Sequence, residues 1–543
     1  MASIKHLVGD VLALAGVGYL LVFAPCSFAA APAPDCKSLA SMKIPQTTIA
    51  GAELVAAGTF KAPGGDPTPD LKAFCRVTGI AKPSSDSDIK FEVWLPAADW
   101  NGRLWGAGNG GFAGAVPYES LGGGSLEDGL AEGYAAVGTD AGHEGGPTDG
   151  GWAIGHPEKV IDYGYRAIHE ATVRAKLILS AFYGRKAAHA YFCGCSDGGR
   201  EALMEAERYP DDYDGIIAGA PVISATDLFA GIASIDFAWF GAGEKAGYFP
   251  PSKLPAIQAA ALAACDGIDG IKDGLIDDPR RCGFDPSVLL CQGPETDQCL
   301  TQAQVAALRV IYKGQVLADG ATLPGYSPGA ETGSGGWSWD GWITSSPQTN
   351  SGFHNFAYGY FSGLVFENPK WDFHSFDPDR DVKAADRKLA PVLDATDPDL
   401  GKFVAHGGKL ILYQGWADQA IPPLMTVDYY ERVRETIGQK AAAGSVRLFM
   451  VPGMMHCFGG PGPNNFGQFA AGTGDPNTKI AAALQRWVEE GTAPEQIIAT
   501  KRKPDGDVVR TRPLCAFPNI AHYRGTGSTD DAANFECVAP PGA

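Results

Sequence analysis

The apolar run Ala190-Tyr191-Phe192-Cys193 leads directly into Gly194-Cys195-Ser196-Asp197-Gly198-Gly199, and Arg200 to Tyr209 then reads as a helix. A G-x-S-x-G segment between a strand and a helix makes a sharp turn that exposes the seryl hydroxyl at the end of a sheet. No other feature constrains the fold as strongly, because it asks for a strand behind Ser196 and a helix in front of it. The flanking residues add a second constraint. Cys195 precedes Ser196, and Cys457 follows His456 in Gly453-Met454-Met455-His456-Cys457. If Ser196 and His456 meet, their neighbouring cysteines come within reach of a disulfide.

Around that turn the chain alternates strand-like and helix-like segments. Phe91 to Leu95, Leu104-Trp105, Tyr134 to Gly138 and Gly215 to Gly219 read as strands, and Tyr163 to Tyr183 reads as a long helix. Ile168, Val173, Ile178 and Leu179 fall near helical spacing in it. Such alternation builds an α/β fold with a parallel sheet and right-handed crossovers. The rhythm stops between 222 and 388, where Gly, Trp, Tyr and Phe are frequent and four cysteines crowd one stretch. It resumes at Lys409 to Tyr413 and Val446 to Val451, followed by a helix from Ile480 to Glu490. With 543 residues the chain is too long for a single core. The expected organisation is therefore one sheet domain in two parts, 32–221 and 389–543, interrupted by a large insertion at 222–388.

A neutral serine is a weak nucleophile, so a base must take its proton and a third group must hold that base in the right tautomer. With a nucleophile elbow these groups come in the chain order Ser, Asp or Glu, His. Asp418, in Gln414-Gly415-Trp416-Ala417-Asp418, directly follows an expected strand, and His456 directly follows the next one. The end of a parallel strand is where an open sheet places its site. Asp428 is the rival acid, but it falls in the helix-like stretch Thr426 to Arg432. His143 and His406 do not follow a strand after the acid and read as loop or core histidines. A developing oxyanion needs two amide donors. Asp197 supplies one, and the run Gly106-Ala107-Gly108-Asn109-Gly110-Gly111 offers the other, with Gly111 the preferred donor.

A formal net charge of −19 with no Lys/Arg cluster argues against a nucleic-acid partner. Lys5, the apolar run from Val11 to Phe23 and the small residues Ala29 to Ala31 have the layout of an export signal over 1–31, and the run is too short to span a bilayer. A secreted or periplasmic location makes disulfides the first reading of the twelve cysteines. Spacing suggests Cys265 with Cys282, Cys291 with Cys299, and Cys515 with Cys537. Cys26 falls within the expected export signal; the Ser–His argument adds Cys195 with Cys457, which leaves Cys36 for Cys75 and Cys193 as a buried free thiol. Zinc is disfavoured, because no C-x2-C pair faces a second Cys or His pair.

The segments Gly194 to Gly199 and Pro452 to Cys457 together resemble the tannase and feruloyl esterase family, whose members carry a Cys-Ser…Asp…His-Cys signature with this disulfide. Tyr213 to Pro221 and Arg512-Pro513-Leu514-Cys515 extend the likeness from about Cys36 to Cys537. The resemblance implies an α/β-hydrolase with a lid inserted before the acid, acting on aromatic esters. Trp337, Trp339, Trp342, Tyr358 and Phe361 would belong to that lid. It also implies a structural Ca2+ held by Asp266, Asp269 and Asp273 through carboxylates and by Ile271 and Leu275 through carbonyls. Three carboxylates on a glycine-kinked loop suit a hard cation, although the residues alone are equally compatible with a solvated acidic turn. Family members that cleave the mono(hydroxyethyl) ester of terephthalate hold its free carboxylate with a lid arginine. The corresponding Tyr360-Phe361-Ser362-Gly363-Leu364-Val365 has none. The expectation is an exported serine carboxylesterase for feruloyl (hydroxycinnamoyl) or galloyl esters, small molecules derived from plant cell wall or tannin. The rivals are a terephthalate monoesterase and a non-catalytic, calcium-stabilised binding protein on the same scaffold.

Overall fold

Along Lys409–Gly415, Leu410 and Leu412 pack into one apolar cluster while Ile411 and Tyr413 pack into another, and all four are fully buried. A run that is apolar at consecutive positions is what a strand requires when both faces of its sheet are covered. The computed structural model describes residues 35–119, 124–240, 247–318, 320–333, 338–472 and 474–540. It places that strand in a nine-stranded sheet. In chain order the strands are β1 (Thr47–Val55), β2 (Phe74–Ala81), β3 (Ile89–Pro96), β4 (Arg103–Ala107), β5 (Ala135–Thr139), β6 (His189–Cys195), β7 (Gly215–Gly219), β8 (Lys409–Gly415) and β9 (Val446–Val451). Across the sheet they run β1-β2-β3-β5-β4-β6-β7-β8-β9.

From β5 to β9 every pairing is parallel. The first three strands differ: β1 with β2, β2 with β3 and β3 with β5 are antiparallel. This corrects the reading of residues 91–95 as part of a purely parallel alternation. The turn 82–88 between β2 and β3 is long enough for a hairpin and too short for a crossover helix. Helices α1 (Ala167–Tyr183), α2 (Asp197–Arg208) and α3 (Ile480–Glu490) cover the parallel part. Ile178 and Leu179 of α1 join the cluster of Leu410 and Leu412, whereas Leu484 and Trp487 of α3 join that of Ile411 and Tyr413. The sheet thus lies between two helical layers, the arrangement of an α/β-hydrolase.

Strands β7 and β8 are neighbours in the sheet, yet residues 220–408 separate them in the chain. Among its described residues this excursion adds no strand to the central sheet and is mostly helix and turn. Its Phe353, Tyr360 and Trp371 belong to the same cluster as Leu410 and Leu412. The insertion therefore shares its core with the sheet. After α3 the chain forms the hairpin Gln496–Arg502 with Val508–Cys515, and a second, Ile520–Tyr523 with Phe535–Val538.

Five disulfides are present: Cys36–Cys75, Cys195–Cys457, Cys265–Cys282, Cys291–Cys299 and Cys515–Cys537. These are the pairings expected from spacing for three of them, from the Ser–His argument for Cys195–Cys457 and by elimination for Cys36–Cys75. Cys193 is a buried free thiol, and burial raises its pKa far above the ordinary value. It stands two positions before Cys195 on β6, so both sulfurs leave the same face of the strand. No helix among the described residues is long and apolar enough to cross a membrane. The expected export signal at 1–31 and Trp337 lie outside the described residues.

Candidate active site

Ser196 sits between β6 and α2 with φ 65° and ψ −123°, a backbone conformation that costs a non-glycine residue about 1–3 kcal/mol. The surroundings enforce it. The Ser196 amide donates to the Gly219 carbonyl at 3.0 Å, and the Ser196 carbonyl accepts from the amides of Val222 and Arg200 at 3.2 and 3.1 Å. The turn is so tight that a Cβ on Gly194 would come 2.3 Å from the Gly198 carbonyl oxygen, and one on Gly198 would come 2.7 Å from that of Asn109. Those contacts explain why both flanking positions are glycine.

Asp418 follows β8 and is buried. Its Oδ1 accepts from the amides of Ala420 and Ile421, each at 2.8 Å. Its Oδ2 accepts from Gln414 Nε2 at 2.8 Å and faces His456 Nδ1 at 2.9 Å. A carboxylate accepting at Nδ1 keeps the proton on that nitrogen and leaves Nε2 as the acceptor. The His456 amide donates to Gln419 Oε1 at 3.1 Å, and Thr426 donates its hydroxyl to Gln414 Oε1 at 2.9 Å. Gln414, Gln419 and Thr426 therefore fix the acid and the imidazole, and sequence reading did not single them out. Gln414 closes β8 four residues ahead of Asp418, so its place was visible in the sequence even though its role was not. Asp428 faces solvent on the helix Pro423–Ile437. His143 is buried, bonded through Nε2 to the Phe112 carbonyl and stacked on Trp152. His406 pairs with Asp211 at 3.1 Å.

Ser196 and His456 line one cavity of about 750 Å³. The Cys195–Cys457 bond joins their loops, with the Cα atoms of the two cysteines 6.0 Å apart. The Ser196 hydroxyl is not hydrogen-bonded to the His456 ring, a looseness common before substrate arrives. The glycine-rich run after β4 borders the same cavity. In this run and just after it, several amides are taken: Gly108 donates to the Cys193 carbonyl at 3.0 Å, Asn109 to Glu201 Oε2 at 2.8 Å, Phe112 to the Pro147 carbonyl at 2.8 Å and Ala113 to the Gly110 carbonyl at 3.0 Å. Among the described residues the amides of Gly110 and Gly111 donate to no protein acceptor, so Gly110 joins Gly111 as a candidate donor. The Asp197 amide, at the first position of α2, has no intrahelical partner.

The insertion contributes Trp342 and Phe356 to the cavity wall. Their rings stack at 5.8 Å, and Trp342 meets the His456 ring edge-to-face at 5.8 Å. Of the other aromatics read as part of the lid, Trp339 and Phe361 are fully buried in the core and Tyr358 is surface-exposed. The stretch Tyr360 to Val365, aligned with the family's carboxylate-holding segment, is likewise buried and does not border the cavity. Tertiary packing, which aromatic content alone does not reveal, selects which rings face substrate. The opposite wall comes from Ala62–Gly65 and Val116–Glu119, and Glu119 is the one Asp, Glu, Lys or Arg among the described lining residues.

No residue of the acidic loop after Cys265 borders this cavity. Asp266 accepts from the amides of Asp273 and Gly274, Asp269 from that of Ile271, and Asp273 pairs with Arg512. Among the described residues no three acidic, His or Cys side chains converge as a metal cluster. The carbonyls of Ile271 and Leu275 accept no hydrogen bond from a described residue. Asp277 is half-buried with its Oδ1 shielded and unpartnered among the described residues, and desolvation, reinforced by Asp269 and Asp273, raises it to about 7 against the opposing charge of Arg512.

A family model described as tannase and feruloyl esterase matches residues 75–538. An uncharacterized esterase of Xanthomonas campestris pv. campestris is 42% identical over 97% of this chain and 94% of its own length. The mono(2-hydroxyethyl) terephthalate hydrolase of Piscinibacter sakaiensis is 34% identical over 90% of this chain and 88% of its own. The crystal structure of feruloyl esterase B from Aspergillus oryzae superposes with a TM-score of 0.83 at 28% identity, covering 93% of this chain and 99% of that one. With an elbow serine and an Asp-paired histidine on one cavity and relatives of this kind along nearly its whole length, the chain belongs to the tannase and feruloyl esterase family and is a carboxylic ester hydrolase.

Proposed function

We propose that the chain is an exported serine esterase that hydrolyses uncharged esters of phenolic acids, feruloyl or galloyl, through an acyl-enzyme. The observation that carries the reading is the cavity itself: Ser196 and His456 on its wall, Trp342 and Phe356 as an aromatic clamp, and no lysine or arginine among its described lining residues. Export is supported by five disulfides, which persist in oxidising compartments.

In this mechanism Ser196 Oγ attacks the ester carbonyl carbon while its proton passes to His456 Nε2. Asp418 holds the Nδ1–H and stabilises the imidazolium. The Asp197 amide, with that of Gly111 or Gly110, donates to the oxyanion. Collapse breaks the bond to the alcohol, which leaves with the proton from His456. Water, deprotonated by His456, then attacks the acyl-serine, and the phenolic acid departs as Ser196 regains its proton. Each proton lost by one group is taken up by another, so no further co-reactant is needed.

The terephthalate monoester reading draws support from the 34% identical Piscinibacter sakaiensis relative. The carboxylate of Glu119 argues against it, because a free terephthalate carboxylate would meet a like charge with no lysine or arginine among the described lining residues. Assays of methyl ferulate, methyl gallate and mono(2-hydroxyethyl) terephthalate side by side test the choice. The first two are expected to be turned over and the third poorly. Glu119→Arg is expected to raise kcat/KM for the monoester by about tenfold, or ~1.4 kcal/mol, while leaving methyl ferulate within about twofold. Wild-type preference for the monoester would overturn the uncharged-substrate reading.

Ca2+ has a structural role in this proposal. Asp266, Asp269 and Asp273 with the carbonyls of Ile271 and Leu275 would hold it, and Asp277, whose Oδ2 pairs with Arg512 while its Oδ1 has no partner among the described residues, adds a carboxylate beside Asp269. A hard cation would relieve the repulsion among these groups and brace the loop against the C-terminal hairpin, which contributes Arg510 and Arg512. Excess chelator is expected to lower Tm by at least about 5 °C, reversibly on adding calcium. An unchanged Tm would remove calcium from the account.

A further inference from the structure

Two bonds join the glycine-rich loop to the helix that carries the nucleophile, and both pass through Asn109. The Gly198 amide of α2 donates to the Asn109 carbonyl at 2.9 Å, and the Asn109 amide donates to Glu201 Oε2 of the same helix at 2.8 Å. The Asn109 side chain fastens the loop on its other side, its Nδ2 donating to the carbonyls of Ala115 and Thr139 at 2.8 and 2.9 Å. Contact between loop and helix is backbone on backbone: a Cβ on Gly108 would lie 2.9 Å from Gly198 Cα. The two amide donors that an oxyanion needs sit on opposite sides of this junction, Asp197 on the helix and Gly110 or Gly111 on the loop. Their separation is therefore set by whatever sets the junction.

Glu201 is 2% exposed, does not border the cavity, and has no partner for Oε1 among the described residues. A buried carboxyl with one unsatisfied oxygen destabilises the fold, so its retention calls for a reason other than stability. We propose that Glu201 is a positioning residue for the ester-hydrolysis step: by accepting the Asn109 amide it fixes the spacing between the helix-borne and loop-borne donors of the oxyanion hole. The inference rests on the oxyanion assignment made above. Burial, and then the charge of Asp197, push the Glu201 carboxyl upward against the opposing charge of Arg200.

Glutamine keeps an acceptor oxygen within reach of the Asn109 amide, and that is the basis of the test. With methyl ferulate as substrate, Glu201→Gln is expected to keep kcat within about threefold of wild type. Glu201→Leu, close in size but unable to accept, is expected to lose about 10²-fold in kcat with KM within about twofold, the loss that follows a missing oxyanion donor. The same variant should bind a phenylboronic acid, which forms a tetrahedral anion on the serine, about 10²-fold more weakly, while binding the product ferulate as wild type does. A general loosening would instead shift the affinities for boronate and ferulate together. That result would overturn the proposal, as would wild-type kcat in the leucine variant or equal damage in the glutamine variant. Should the leucine variant fail to fold, Glu201→Asp withdraws the acceptor by one methylene. It is expected to lose at least about tenfold in kcat, and wild-type kcat there would overturn the proposal. Absence of any ester turnover by the unaltered chain would count against the esterase mechanism itself and leaves a different signature from these variant ratios.

Discussion

Ser196→Ala is expected to lower kcat for methyl ferulate by about 10⁴- to 10⁶-fold, with Tm unchanged within about 2 °C. The size of the loss follows from the chemistry: without Oγ there is no acyl-enzyme, and only the oxyanion donors and substrate binding remain to assist water. Stability should hold because alanine keeps the Cβ at a position whose left-handed backbone is enforced by bonds to Gly219, Val222 and Arg200. Asp418→Asn should act through the imidazole, reducing kcat by about 10⁴-fold as the ring loses the acceptor that fixes its tautomer. A fluorophosphonate probe gives an independent reading, labelling wild type and not the Ser196→Ala variant. Undiminished hydrolysis by that variant would place the nucleophile elsewhere.

Opening the Cys195–Cys457 bond is expected to abolish most activity before the fold gives way. The bond connects two residues next to reacting groups, and both loops hold non-glycine residues at positive φ, Ser196 at 65° and Cys457 at 61°. Freed from the link, these loops can relax, and a displacement of about 1 Å between Ser196 and His456 is enough to cost about 10²-fold in rate. The Cys195→Ala, Cys457→Ala double variant should therefore fall about 10²-fold in kcat with KM within about threefold. Loop-closure entropy adds a stability loss of up to about 5 kcal/mol for a bridge that encloses some 260 residues. Titration with a mild reductant, followed by ester turnover and by near-UV circular dichroism, separates the two effects. Activity that falls only in step with the dichroism would reduce the bridge to a simple staple.

Much of this architecture was legible because strongly patterned segments leave few alternatives. The β8 and β9 runs are apolar at consecutive positions, as doubly covered strands must be, and α3 was delimited by its pattern from Ile480 to Glu490. Strand ends then located Ser196, Asp418 and His456, which the structure brings to one cavity or to one hydrogen bond. The N-terminal strands were harder to read. β1 alternates half-buried and exposed residues on the sheet edge, and β3 pairs through a hairpin whose direction no periodicity reveals. The cavity wall was least legible of all. Phe356 faces the site while Phe361, five residues later, is in the core, a difference set by packing against Trp371 and Phe376. Glu119 and Glu201 likewise look like ordinary acidic residues until their neighbours are known.

The lone thiol of Cys193 has a consequence for how the protein matures. During oxidative folding, two sulfurs on the same face of β6, Cys193 and Cys195, compete for the single partner Cys457. Exchange between them proceeds through the thiolate, which Cys193 can form only while β6 is still open to solvent. Once the strand is packed around the native bond, burial suppresses deprotonation of Cys193 and so shields the Cys195–Cys457 bond from attack by it. The order of events is thus a kinetic proofreading problem: β6 must remain accessible long enough for the wrong isomer to be undone, and close soon enough to preserve the right one.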